Sequence, residues 1–191
     1  MSQSHTKPTI ILVQGSFQLP EVYNKLATAL RTKHYHVIHP RLPTLTGQSE
    51  PDFASKDLRT DASTVQDVLK YLIAKEEKQV VILMHSYGGL VSIEAMPEEL
   101  SWNKRASLGL TGGVIHLFYF AAFIISRGQS VLTAFGESPN NNVKPGGHFS
   151  MRNAAKLIYS DLPTDEAEYW QSMIIDQSYA VQTTEITQVA Y

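Results

Sequence analysis

Apolar and polar positions alternate along the chain in blocks that predict a succession of strands and helices. The block from Thr9 to Gln14 is β-branched and apolar and stops at Gly15, which is typical of a strand buried on both faces of a parallel sheet. Similar blocks predict further strands at Tyr35 to His39, Lys78 to Leu83 and Val114 to Ile125. The last of these is the longest apolar run, and we expect a buried strand because it is shorter than the ~20 residues that span a bilayer.

Helical patterns fill the intervals between these strands. Pro20 and Glu21 open the first helix, since proline suits a first turn and an acid suits the positive end of the helix dipole. Its predicted apolar stripe consists of Val22, Leu26 and Ala29. The second helix carries apolar residues at helical spacing, namely Val65, Val68, Leu69, Leu72 and Ile73. A third helix begins at Leu90. The alternation predicts an α/β fold with a mostly parallel sheet, right-handed crossovers and ligands beyond the carboxyl ends of the strands.

Length and composition predict one domain that covers residues 1–191. The chain has 191 residues, of which 43% are hydrophobic and 18% are charged, which suffices for one core. A net charge of -2 offers no basic face for nucleic acid and no polybasic stretch for an anionic membrane. The polar amino terminus lacks the apolar region of a secretory signal, so we expect a cytoplasmic protein.

Cysteine and histidine usage limits the chemistry. The chain contains no cysteine, which excludes disulfides, thiolate metal sites and cysteine nucleophiles. None of the seven histidines pairs with another at zinc-ligand spacing beside an acid, so we expect no metal. We also expect no cofactor.

Candidate chemistry lies where the third strand meets the third helix, in the sequence Met84-His85-Ser86-Tyr87-Gly88-Gly89. A serine becomes a nucleophile when an exposed, strained turn holds it beside a base and beside donors for the oxyanion. Glycines must follow, because side chains there would clash where the helix doubles back against the strand. A serine before glycines can also be a simple turn with a helix cap. The apolar strand before it, the helix after it and Gln14-Gly15-Ser16-Phe17 favour a nucleophile elbow with Ser86 as the nucleophile.

With these residues the chain resembles the small α/β-hydrolase proteins related to carboxylesterases, whose relatives include hydroxynitrile lyases, lactonases and ring-opening enzymes. The most specific stretches are Thr9 to Phe17, Pro40 to Pro43 and Val80 to Gly89. The resemblance implies an oxyanion hole formed by the backbone N–H groups of Ser16 and Tyr87. We place the adjoining Phe17 and His85 in the substrate pocket, although His85 can instead pack against or cap the turn.

Two residues differ from the family pattern. Met84 stands where the Gly-x-Ser-x-Gly motif has its first glycine, and Gln14 stands where many relatives have the histidine of a His-Gly pair. Neither position performs chemistry in the family. The first difference concerns the packing of the elbow, and the second concerns the polarity beneath the oxyanion loop.

The resemblance also implies a catalytic acid and a histidine after later strands. After the fourth strand the turn from Ser126 to Ser130 has no carboxylate. The resemblance therefore implies a sheet core at 8–125 and a helical lid at 126–191, without the carboxyl-terminal strands. A complete member would need ~50 to 60 further residues. We expect either a homodimer in which a second copy supplies this part, or a shortened version of a longer protein. The strand at 114–125 would then form an open sheet edge.

The predicted function is that of a serine hydrolase that acts through Ser86 on an ester or lactone of a small hydrophobic molecule. Aromatic residues of the lid suggest such a substrate, namely Phe135, Phe149, Tyr159, Tyr169 and Trp170. One alternative is a lyase, isomerase or epoxide-opening enzyme in which Ser86 transfers a proton. Another is a noncatalytic truncated paralogue that keeps the elbow without the triad.

Overall fold

The computed structural model describes residues 7–189, so the amino-terminal residues considered for a secretory signal lie mostly outside the described part. The strands are β1 (Thr9–Val13), β2 (Val37–Ile38), β3 (Gln79–Ser86), β4 (Gly113–Ala122), β5 (Asn141–Lys144), β6 (His148–Met151) and β7 (Gln177–Ser178). The α-helices are α1 (Asn24–Thr32), α2 (Leu58–Lys70), α3 (Gly88–Glu94), α4 (Trp102–Ser107), α5 (Val131–Phe135), α6 (Ala154–Leu157), α7 (Thr164–Ser172) and α8 (Ala180–Thr183).

The first four strands form one parallel sheet in the order β2-β1-β3-β4, which confirms the predicted α/β class. Every residue of β1 is buried, as its uninterrupted apolar sequence predicts. The register pairs Val13 of β1 with Met84 of β3, and Ser86 at the end of β3 with Ala122 at the end of β4. The carboxyl ends of β1, β3 and β4 therefore meet at one edge, where the predicted site residues lie.

Helices α1 and α2 differ in how well the sequence predicted their buried faces. The apolar residues predicted for α2 and the π-helical turn that follows it, Tyr71–Lys75, are buried or partly buried. In α1 the predicted stripe is wrong in part, because Tyr23 and Ala27 are buried while Ala29 is exposed. A 3-10 turn at Pro20–Tyr23 precedes α1. A 3-10 turn has three residues per turn, so the face of α1 that is buried is shifted from the one that a continuous 3.6-residue pattern predicts.

Strand β4 forms an edge of the parallel sheet in the part of the chain that the structure describes. The prediction that the run from Val114 to Ile125 is a buried strand is wrong for most of its length, because within β4 only Gly113 and Val114 are buried. Ile115 is 39% exposed and Phe118 is 50% exposed, because β4 pairs with β3 alone. The open edge itself agrees with the sequence-based expectation.

The region after β4 contains a second sheet, which the sequence did not predict. Strands β5, β6 and β7 form an antiparallel sheet, so this region is mixed and not purely helical. The β5–β6 turn places Gly146 and Gly147 at φ values of +77° and +75°, a conformation that glycine adopts without strain. Phe149 of β6 is fully buried in the main core cluster and joins this sheet to the rest of the chain. Within residues 7–189, no helix is both long and apolar enough to cross a membrane.

Candidate active site

Ser86 ends β3 in a strained backbone conformation. Its φ of +50° lies in the left-handed region, which costs a residue other than glycine roughly 1 to 2 kcal/mol. One residue, Tyr87, separates it from the first residue of α3. The chain therefore turns sharply from strand into helix at the serine, as the elbow prediction requires.

Glycines allow this turn to pack closely against the neighbouring backbone. A Cβ atom on Gly88 would lie 2.4 Å from the carbonyl oxygen of Val13, and one on Gly89 would lie 2.4 Å from that of Phe123. Both distances are far shorter than any real contact of a Cβ atom. The predicted clash is thus present, but its partners belong to the ends of the neighbouring strands β1 and β4 and not to β3.

The loop after β1 lies directly against the elbow. A Cβ atom on Gly15 would be 2.9 Å from Cβ of Ser86 and 3.4 Å from its Oγ. Ser16 follows Gly15 and borders the same cavity as Ser86. Neither the Ser16 N–H nor the Tyr87 N–H donates a hydrogen bond to another residue of the described part of the chain. Neither N–H group therefore has a hydrogen-bond acceptor among the described residues.

A buried carboxyl group holds the Tyr87 side chain away from the cavity. The Tyr87 hydroxyl donates a hydrogen bond of 2.9 Å to Oδ2 of Asp61, and Tyr87 is fully buried. Asp61 also accepts hydrogen bonds from the Thr44 N–H at 2.9 Å and the Thr44 hydroxyl at 2.6 Å. Burial raises the pKa of Asp61 to about 7, although these three donors oppose the shift. Burial likewise raises the pKa of Tyr87 well above its usual range.

A second tyrosine lies between the loop after β1 and the elbow. The Tyr23 hydroxyl accepts a hydrogen bond of 3.1 Å from the Gly15 N–H and lies 2.7 Å from Nδ1 of His85. Burial raises the pKa of Tyr23 to about 12 and lowers the pKa of His85. The His85 ring stacks on Phe120 of β4, with 5.0 Å between the ring centroids. His85 therefore packs within the cavity wall.

The two positions that differ from the family pattern both have structural roles. Met84 is fully buried, with β-sheet partners on both sides. Gln14 is also fully buried, and its Nε2 donates a hydrogen bond of 2.5 Å to the carbonyl oxygen of Gln18. Gln18 in turn donates to the Tyr159 hydroxyl. The polar group beneath the loop thus connects the loop to the region after β4.

The predicted site residues border one cavity of about 820 Å³. Ser86, Ser16, Phe17 and His85 all line it, whereas Tyr87 does not appear among the lining residues. Three of the aromatic residues expected from the lid also line it, namely Phe135, Phe149 and Tyr159, while Tyr169 and Trp170 do not. The sequence did not identify Tyr23, Phe120 and Phe123, which complete the aromatic wall. Phe120 and Phe123 lie near the carboxyl end of a predicted strand, where ligands bind, and this position was the one signal in the sequence for their place in the wall. Tyr23 had no such signal.

Histidines and acids of the described residues form neither a metal site nor a visible triad. No group of three or more such residues within 7–189 is placed to hold a metal ion. In the same part of the chain, no hydrogen bond joins Ser86 Oγ to a histidine. His148 lies 3.7 Å from Asp176 and does not line the cavity.

Comparison with known proteins places this geometry in context. A family model described as "Alpha/beta hydrolase family" matches residues 10–188. "Probable hydrolase R7" from Phoma sp. is 32% identical over 131 residues, which cover 69% of this chain and 49% of that protein. "Carbendazim hydrolyzing esterase" from Nocardioides sp. is 29% identical over 122 residues, which cover 64% of this chain and 45% of that protein. The chain thus spans about half the length of these two curated relatives.

Solved structures show the same fold at lower identity. The chain aligns with a pyrethroid hydrolase from Sphingobium faniae at a TM-score of 0.65 and 21% identity, covering 97% of this chain and 74% of that one. It aligns with polyneuridine aldehyde esterase at a TM-score of 0.66 and 14% identity, covering 95% of this chain and 75% of that one.

The close approach at Gly88 predicts a large loss of stability on substitution. Gly88→Ala pushes a methyl group against the β1 backbone, so we expect a loss of about 3 kcal/mol in the free energy of unfolding. Gly128→Ala is the control, because Gly128 has a φ of +82° and open space around it, and should cost only about 1 kcal/mol. Urea denaturation measures both. Equal losses would show that the contact at Gly88 does not constrain the elbow.

The raised pKa of Asp61 predicts a pH-dependent stability. An unfolded chain releases this proton near the ordinary pKa of 3.8, whereas the native chain keeps it up to about pH 7. Between these values the native state binds more protons, so the free energy of unfolding falls as pH rises. Asp61→Asn cannot titrate and should lose this part of the slope. Urea denaturation from pH 4 to pH 8 tests it, and parallel curves for the two proteins would contradict it.

Proposed function

Because the chain belongs to the alpha/beta hydrolase family, we propose that it is a serine hydrolase that cleaves an ester or lactone of a small hydrophobic molecule, with Ser86 as its nucleophile. The observation that carries this proposal is the strained backbone of Ser86 at φ +50°, at the end of a central strand and on the wall of a large cavity. A folded protein keeps such strain where the surrounding structure holds it, and it clusters at functional sites.

The proposed reaction begins with attack of Ser86 Oγ on the carbonyl carbon of the substrate. The carbonyl oxygen becomes an oxyanion that accepts hydrogen bonds from the N–H groups of Ser16 and Tyr87. Collapse of this intermediate expels the alcohol and leaves an acyl group on Ser86, which water then releases as the acid. The serine proton passes to a base and then to the leaving alcohol. We assign that base to no described residue, because none is hydrogen-bonded to Ser86 Oγ as a triad histidine would be.

A strained serine supports nucleophilic attack over the proton-transfer alternative. A residue that only transfers a proton must lie within hydrogen-bond distance of the substrate and have a pKa near the working pH. A serine hydroxyl does not have such a pKa. Placing Oγ at an exposed turn beside unpaired N–H groups serves an attack that generates an oxyanion. The names of the relatives, which are hydrolases and esterases, support the same class of reaction.

The cavity supports a hydrophobic and uncharged substrate. Seven aromatic residues form its wall, namely Phe17, Tyr23, Phe120, Phe123, Phe135, Phe149 and Tyr159. Among the described lining residues there is no lysine or arginine, and Glu137 is the one carboxylate. Apolar walls of this kind bind aromatic and aliphatic groups and give an anionic substrate no partner. Cytoplasmic location, homodimer formation and independence of a cofactor stay predictions from the sequence.

Hydrolysis of a short-chain aryl ester tests the proposal. Purified protein should hydrolyse 4-nitrophenyl butyrate, and Ser86→Ala should lower kcat/KM by about 10³-fold or more because the nucleophile is lost. Ser107→Ala is the matched control, since Ser107 is exposed on α4 and its hydroxyl donates to the carbonyl oxygen of Lys104, away from the cavity. Equal turnover by wild type and Ser86→Ala would contradict the role of Ser86.

A further inference from the structure

One oxygen atom contacts both segments that carry the proposed oxyanion donors. The Tyr23 hydroxyl accepts the Gly15 N–H at 3.1 Å, and Gly15 directly precedes Ser16. The same hydroxyl lies 2.7 Å from Nδ1 of His85, which directly precedes Ser86 and is two residues before Tyr87. The oxyanion loop and the elbow come from β1 and β3, which are far apart in sequence. Tyr23 joins them through side-chain hydrogen bonds.

Hydrogen-bond chemistry fixes the direction of the bond from Gly15 and allows a neutral bond between Tyr23 and His85. Burial raises the pKa of Tyr23 to about 12, so the phenol keeps its proton at neutral pH. Burial lowers the pKa of His85, so its ring is neutral. The oxygen of Tyr23 accepts from Gly15, and its proton is then available to Nδ1 of His85. If Tyr23 donates to Nδ1, His85 carries its own proton on Nε2, whereas a His85 protonated at Nδ1 donates to the Tyr23 oxygen, and either arrangement joins the two residues.

Ring packing holds Tyr23 in place. The side chain is 8% exposed and lies where the 3-10 turn Pro20–Tyr23 meets α1. Its ring meets the His39 ring edge to face, with centroids 5.4 Å apart and an angle of 74°. On the other side, the His85 ring is held by its stacking on Phe120. Both ends of the hydrogen bond between Tyr23 and His85 are thus fixed by aromatic contacts.

We propose that Tyr23 is a positioning residue that sets the spacing between the Ser16 and Tyr87 N–H groups. The proposal rests on the proposed hydrolase function, because it concerns the oxyanion hole of that reaction. The Tyr23 ring forms part of the cavity wall, but its hydroxyl acts through Gly15 and His85, so we expect the hydroxyl to contribute to the rate and not to substrate affinity. An oxyanion bonds well only to donors at 2.7 to 3.1 Å, roughly, so a shift of one donor weakens its stabilisation in the transition state.

Tyr23→Phe removes the hydroxyl and leaves the ring packing intact. With 4-nitrophenyl butyrate we expect kcat to fall about 10- to 100-fold while KM changes less than about twofold, since misplaced groups cost rate at this scale. Tyr35→Phe is the matched control, because Tyr35 packs beside Ile10 and Val37 outside the cavity and should keep the wild-type kcat. A kcat for Tyr23→Phe within about twofold of the wild-type kcat would overturn the proposal. A rise in KM of about 10- to 100-fold with an unchanged kcat would overturn it as well.

Nuclear magnetic resonance tests the link without any turnover. The wild type should show slow hydrogen exchange at the Gly15 amide and a hydrogen-bonded Nδ1 of His85. In Tyr23→Phe the Gly15 amide should exchange at least about tenfold faster, because it loses its acceptor. Unchanged Gly15 exchange, or a nitrogen chemical shift of His85 Nδ1 that Tyr23→Phe leaves unaltered, would overturn the link, whichever ring nitrogen carries the proton. A wild type that hydrolyses no ester would contradict the proposed function, while these spectra would still confirm or overturn the link itself.

Discussion

The contact between the first turn of α3 and the ends of its neighbouring strands is the constraint on which the site depends. Gly88 and Gly89 bring that turn against the carbonyl groups of Val13 and Phe123, at distances that exclude any side chain. This approach leaves no room for a gradual turn between β3 and α3, so Ser86 occupies the left-handed region. We therefore attribute the backbone strain at Ser86, the proposed nucleophile, to close packing of backbone atoms. Glycine is required at positions 88 and 89 because there is no space for a Cβ atom.

Buried polar side chains then fix the surroundings of Ser86. Asp61 reaches from α2 to the Tyr87 hydroxyl, and Tyr23 connects Gly15 to His85. Each of these groups is costly to bury, and each finds partners near the site. The two networks contact the residues on either side of Ser86. Asp61 binds Tyr87, which follows Ser86, and Tyr23 contacts His85, which precedes it. The segments that carry the proposed oxyanion donors are thus held by hydrogen bonds, and the proposed nucleophile is held by packing.

Local sequence patterns predicted what depends on local interactions. The elbow, the first strand and the burial of α2 followed from apolar spacing and from glycine placement. Tyr23 and Asp61 could not be identified in this way, because each acts on a residue of another element, over separations of 62 and 26 positions. The open edge at β4 was expected from the family resemblance, but the apolar run alone predicted a buried strand, because such a run does not show which of its side chains are left uncovered. The hairpin of β5 and β6 was missed because its asparagines and glycines are equally typical of a loop.

Covalent labelling tests most directly the claim that this packing produces a nucleophile at Ser86. Purified protein is treated with a fluorophosphonate, which reacts with activated serine hydroxyls, and its peptides are analysed by mass spectrometry. The account predicts one phosphonylated site, on the peptide that contains Ser86, and no labelling of the surface Ser107. Full recovery of the unmodified Ser86 peptide, or labelling at another serine alone, would contradict it.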